Sequence, residues 1–202
     1  MKKSRESNES NTVERGELGG DALFIKVPSK EGGLPAELCD EITGLPNAML
    51  FQDRFHTAVH RVGRLGFGIG MGILELDGFG DLEKSWAPDK LNQFLCSVVD
   101  QLSNKIRRSD TLARIGMAKF ALIFENISEE IVLQRLAEKC LEAVSEPLFT
   151  MPDDGSSKYV QARACFGLCL FPFHITDFEK VIPACEEALI AAKEKGGGWV
   201  LY

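Results

Sequence analysis

The run Arg107-Arg108-Ser109-Asp110-Thr111-Leu112-Ala113-Arg114-Ile115-Gly116-Met117-Ala118-Lys119-Phe120-Ala121-Leu122-Ile123-Phe124 holds two short apolar stretches around one polar, glycine-led break. Strands of four or five residues joined by Gly116 to Lys119 predict a β-hairpin over Thr111–Ile115 and Phe120–Phe124. On its N-terminal side, Lys90 to Ile106 places Leu91, Phe94, Leu95, Val98, Val99, Leu102 and Ile106 at helical spacing, the stripe of a helix with one buried face. On its C-terminal side, Ser128 to Val144 repeats that stripe, with Ser128 read as the cap and Glu129 and Glu130 favourably placed in the first turn.

Farther out, Asn47 to Arg61 reads as a helix after a Gly44-Leu45-Pro46 turn, Phe67 to Leu76 as an apolar strand, and Asp77 to Trp86 as a polar loop. Tyr159 to Phe171 reads as a strand reached through the turn Pro152-Asp153-Asp154-Gly155. Thr176 and Glu179 form a capping-box pattern for a last helix that runs to Lys195 and that Pro183 would kink. Gly196 to Gly198 ends it before a closing strand, Trp199 to Tyr202. Helix, strand, helix, hairpin, helix, strand, helix, strand suits an α+β fold, with helices over a mainly antiparallel sheet.

The chain has 202 residues, enough for one domain and an extension. Residues 1–36 read as a disordered tail: Met1 to Asp21 is polar and Gly-rich, and Ala22 to Val27 is a short apolar island before a Pro- and Gly-containing linker. The island is either a strand that packs on its own domain or a docking segment for a protein partner. The tail is neutral, so the net charge of −7 falls on residues 37–202. That charge argues against DNA or RNA as a partner, and no apolar stretch has the length of a membrane span. The start shows no signal peptide, and six cysteines without a C-x-x-C pair suggest reduced thiols in the cytoplasm, with Cys165 and Cys169 as core filler.

Several phrases together resemble the GGDEF domains, the diguanylate cyclase family. Asp40-Glu41-Ile42-Thr43-Gly44-Leu45-Pro46-Asn47 is similar to the family's D-x-L-T-G-L-P-N opening, and Leu74-Glu75-Leu76-Asp77-Gly78-Phe79 to its L-D-x-D-x-F. Arg107 to Gly116 is similar to the R-x-x-D-x-x-A-R-x-G approach to the signature, and Ala184 to Lys193 with Tyr202 to the closing A-D-x-A-L-Y-x-A-K…Y, with Cys185 in place of the Asp. The match spans roughly residues 37–202 in order, and implies a palm-like sheet with the signature on the hairpin.

Where the family has G-G-D/E-E-F, this chain reads Gly116-Met117-Ala118-Lys119-Phe120, a degenerate signature. Family members join two GTP molecules into cyclic di-GMP with Mg²⁺, which needs hard oxygen ligands. The resemblance puts one metal carboxylate at Glu75 and the other at Lys119, an ammonium that repels a metal. Asp77 belongs to the same strand end. The guanine-contacting Asn falls on Glu83 and its Asp partner on Asn92, while the phosphate-binding lysine survives as Lys193. These residues form a vestigial active site: no catalytic residue, no cofactor and no bound metal, Mg²⁺ included, are expected. Lys119 either pairs with Glu75 in place of the metal or is a solvated lysine on an exposed hairpin, the weakness of surface pairs favouring the second.

The family's product-binding R-x-x-D falls on Arg107 and Asp110, with Arg108 adjacent. An arginine fork reads guanine O6 and N7, and an aspartate accepts from the Watson–Crick edge. The expectation is therefore a receptor for cyclic di-GMP, with a protein partner met through residues 1–36 and a homodimer as a further assembly. Two alternatives stay open: a structural or dimerisation module that binds no nucleotide, and a GTP-binding or weakly active cyclase using Glu75 and Asp77. His56 and His60 lack the H-E-x-x-H glutamate and read as structural, and the Gly66-Phe67-Gly68-Ile69-Gly70 glycines precede a strand, unlike a dinucleotide loop.

Overall fold

The central strand, β1 (Gly68–Leu76), sends successive side chains to opposite faces of a sheet, and both faces are covered. Ile69, Met71 and Ile73 join one buried cluster, with Phe51, Phe55 and Leu189, whereas Leu74 and Leu76 join another, with Phe94, Val98 and Leu133. A strand enclosed on both sides reads as a continuous apolar run. The computed structural model describes residues 35–62, 67–150 and 158–202. The tail through Leu34 with its apolar island, Gly66, and the turn at 152–155 lie outside the described residues.

β1 pairs antiparallel with β3 (Lys119–Ile127) and with β6 (Ala164–Phe171), while β2 (Thr111–Arg114) flanks β3 and β7 (Gly198–Leu201) flanks β6. The order β2-β3-β1-β6-β7 has one parallel pair, β6 with β7. Helices α1 (Ala48–Arg61) and α5 (Val181–Glu194) cover one face, and α3 (Pro88–Ser103) and α4 (Glu130–Ser145) the other. The short strands β4 (Leu148–Thr150) and β5 (Lys158–Val160) pair separately. α5 lies directly on β6 because Gly167 has no side chain: a Cβ there would collide with the backbone of Cys185 and Leu189. This close approach brings one face of α5 to the end of β1.

The expected α+β sandwich of helices over a mainly antiparallel sheet is the fold observed. Asn47 caps α1, its Oδ1 accepting from the backbone N–H of Met49 and Leu50. Five local expectations need correction. Asp77 to Trp86 is not a loop throughout: α2 (Phe79–Ser85) forms there because Gly78 takes φ 68° and lets Phe79 turn into the core. Tyr159 to Phe171 is two strands in two sheets: β5 pairs with β4, β6 pairs with β1 and β7, and residues 161–163 link them. Ser128 does not cap α4, which begins two residues later after Glu129. The Thr176–Glu179 box does not form either, because Asp177 accepts from Glu179 N and opens a 3-10 turn instead. Pro183 then falls in the first turn of α5, where no intrahelical N–H is required, so it produces no kink of the kind expected.

Candidate functional site

Glu75, near the end of β1, stands opposite Lys119 of β3 and opposite Cys165 of β6. Strand alternation points Glu75 and Lys119 to the face that α5 covers. There Lys119 Nζ lies 3.1 and 3.2 Å from the two carboxylate oxygens of Glu186 and 3.6 Å from Glu75 Oε2. Lys193 Nζ lies 2.6 Å from Glu75 Oε1. Glu186 and Lys193 are seven residues apart on α5, two turns on one helix face. Two ammonium groups and two carboxylates thus neutralise one another across β1, β3 and α5. Lys119 is only 30% exposed, so the solvated-lysine reading gives way to the paired one, with Glu186 as the nearer partner. Glu186 belongs to the closing motif itself: counted back from Lys193 through Ala192, Leu189 and Ala188, the acid of A-D-x-A-L-Y-x-A-K falls on Glu186, and Cys185 takes the preceding Ala position, which corrects the assignment of the Asp position to Cys185.

Beside these charges lies an open cleft of about 610 Å³, lined by Glu75, Lys119, Gly78 to Asp81 and Ile115 to Ala118. Met117 projects outward, 59% exposed, and the Ala118 carbonyl accepts from Leu76 N at 3.0 Å, tying the hairpin tip to the end of β1. Asp77 is not among the lining residues: its Oδ1 accepts from Cys165 Sγ at 3.3 Å. Glu83 is exposed on α2 and Asn92 half-buried on α3, and neither lines the cleft. The structure therefore gathers Glu75, Gly116, Lys119 and Lys193, and leaves Asp77, Glu83 and Asn92 outside that group.

The hairpin is held from behind by Arg114, a buried residue on β2. Its Nη1 donates to both oxygens of Asp40 at 3.0 Å, and its Nη2 to the Met117 carbonyl at 2.7 Å. Asp40 also accepts from the Thr43 backbone N–H and hydroxyl, at 2.8 and 2.7 Å. Burial pushes the Asp40 carboxyl up, but the Thr43 hydrogen bonds and the Arg114 guanidinium outweigh it and hold the group below the usual carboxylate range. The opening segment around Asp40 is thereby fastened to the hairpin tip.

The turn before β2 is organised by Asp110. Its Oδ2 accepts from Arg107 N at 2.9 Å and its Oδ1 from Glu125 N at 3.1 Å, while its own N donates to the Arg107 carbonyl at 3.0 Å. Both carboxylate oxygens are spent on the backbone, the usual way a short acid closes a turn. Arg107 and Arg108 are exposed, and among the described residues neither guanidinium has a hydrogen-bond or ion-pair partner. His56 packs edge-on against Phe178, with ring centroids 5.4 Å apart, a structural contact. Burial pushes the Cys165 and Cys169 thiols up to about 11, which keeps them protonated and inert at neutral pH.

A palm-like sheet with a cleft at the tip of its β2–β3 hairpin defines a structural class, and comparison with known proteins specifies it. The model of the diguanylate cyclase GGDEF domain matches residues 37–198, and the chain belongs to the GGDEF domain family. Among curated relatives, the bifunctional diguanylate cyclase/cyclic di-GMP phosphodiesterase MucR of Pseudomonas aeruginosa is 28% identical over 79% of this chain, which covers 22% of MucR. Among solved structures, the GGDEF domain of TpbB (YfiN) from P. aeruginosa superposes with a TM-score of 0.73 at 21% identity, over 81% of this chain and 93% of that one. The GGDEF domain of DgcB from Caulobacter crescentus, solved in complex with c-di-GMP, gives 0.73 at 20% identity, over 83% and 96%. Among the described residues, no helix is long and apolar enough to cross a membrane.

Proposed function

We propose that this GGDEF domain does not synthesise cyclic di-GMP, and instead binds it through the Arg107–Asp110 turn and relays its presence to a protein partner. The observation that carries the first half is the Lys119 ammonium between the carboxylates of Glu75 and Glu186. Joining two GTP molecules requires Mg²⁺ on oxygen donors. The donor set here does not fit a divalent cation, because a fixed positive charge stands within 3.6 Å of the Glu75 carboxylate that would hold one. Met117 in place of the signature's second glycine adds a side chain where phosphates would approach the backbone.

The receptor half rests on Arg107. Its guanidinium is exposed on a turn whose backbone Asp110 fixes, so its planar fork can meet a guanine edge without first breaking a contact among the described residues. The cytoplasm suits a domain of this kind, and the tail through residue 36 supplies the partner contact. A second reading, a module that binds no nucleotide, is favoured by one observation: Asp110 has both oxygens engaged already and would have to share them with a ligand. Calorimetry with cyclic di-GMP and, separately, with GTP plus Mg²⁺ tests both. Binding of cyclic di-GMP without turnover of GTP is expected. No binding at tens of micromolar cyclic di-GMP would leave the nucleotide-free module standing, and steady product formation from GTP would refute inactivity.

A further inference from the structure

Glu75 and Glu186 come from elements far apart in sequence, yet both lie against the same ammonium, at 3.6 and 3.1 Å. Two carboxylates that close repel unless a cation stands between them. Lys193 answers only Glu75, at 2.6 Å, so Lys119 is the sole cation in ion-pair range of Glu186 among the described residues. The side chains are 27–41% exposed, sheltered enough for the pairing to matter and open enough for an ion to reach it from solvent.

We infer that Lys119 is a resident counter-ion that clamps α5 to the ends of β1 and β3 by holding Glu186 and Glu75 together, so that this corner of the hairpin is closed without a divalent cation. This rests on the reading that the cleft takes no metal, and extends it to what holds the cleft together. A tethered ammonium contributes one positive charge and three N–H donors, whereas Mg²⁺ or Mn²⁺ contributes two charges and demands oxygen ligands. With glutamate at 119, three carboxylates face one lysine. That excess negative charge destabilises the fold.

The test is thermal melting of the full chain in EDTA and in millimolar Mg²⁺ or Mn²⁺. Wild type is expected to melt at the same temperature in all three. Lys119→Met, which keeps the stem and removes the charge, lowers the midpoint by about 2–4 °C irrespective of metal. Lys119→Glu melts lower still in EDTA. The double variant Lys119→Glu with Glu186→Lys exchanges the two charges and is expected to melt near wild type. A metal-dependent wild-type midpoint or a Lys119→Met midpoint equal to wild type overturns the inference. So does a double variant that melts no better than Lys119→Glu. Parallel GTP assays separate the two readings: absent turnover with a failed melting pattern sinks the counter-ion alone, and turnover by wild type sinks the inactive reading.

Discussion

At the tip of the β2–β3 hairpin, Lys119 is shared between Glu75 and Glu186, and Arg114 between Asp40 and the Met117 carbonyl. In the turn that leads into the same hairpin, Arg107 and Arg108 face solvent with no such partner among the described residues, while Asp110 alone does the holding. The two regions use the same residue types to opposite ends. A cation enclosed by carboxylates stabilises its neighbours and is unavailable to a ligand. A cation left uncommitted on a rigid turn contributes little to stability and is available to bind.

That contrast can be broken at the tip first, where the expected effect is largest. Arg114→Met should destabilise the domain by about 3 kcal/mol in denaturant melts, since it strands a partly buried Asp40 and frees the Met117 carbonyl. The pH dependence follows. The folded Asp40 carboxyl lies below its usual range, so its contribution is complete above about pH 4 and is lost as pH falls through the lower folded value. The acid limb of the wild-type stability curve should therefore be steeper below pH 4 than that of Arg114→Met, and equal slopes would remove Asp40 from the account.

Next in size is Asp110→Ala, expected to cost about 2–3 kcal/mol because two backbone N–H groups lose a charged acceptor. A loss below a few tenths of a kcal/mol would show that the turn closes without it. Smallest for the fold, and decisive for binding, is Arg107→Ala. Its melting temperature should match wild type, while affinity for cyclic di-GMP falls ten- to hundred-fold, about 1–3 kcal/mol, when titrated calorimetrically. Arg107→Lys should recover little, because an ammonium has no planar fork to set against guanine O6 and N7. Equal affinities for wild type and Arg107→Ala would place recognition elsewhere.

Much of this domain is legible in its sequence. The striped helices, the hairpin around Gly116 to Lys119 and the ordered phrases from Asp40 to Tyr202 led to the family and its fold, because periodicity and turn chemistry act over a few neighbouring residues. The same locality explains what was missed. α2 hides behind Gly78 and Gly80, whose polar context masks a short helix anchored by Phe79. The opening phrase and the approach to the signature contain Asp40 and Arg114 respectively, yet nothing in either says that they meet, 74 residues apart. Lys119 is an oddity in its motif and Glu186 the acid of the closing one, but nothing in either motif says that the two meet, 67 residues apart. Residue order alone says which charges exist and on which elements they ride. Which of them are consumed is settled by folding, because an ion pair depends on strand register and on how closely α5 settles over Gly167, and both are set by packing between distant parts of the chain.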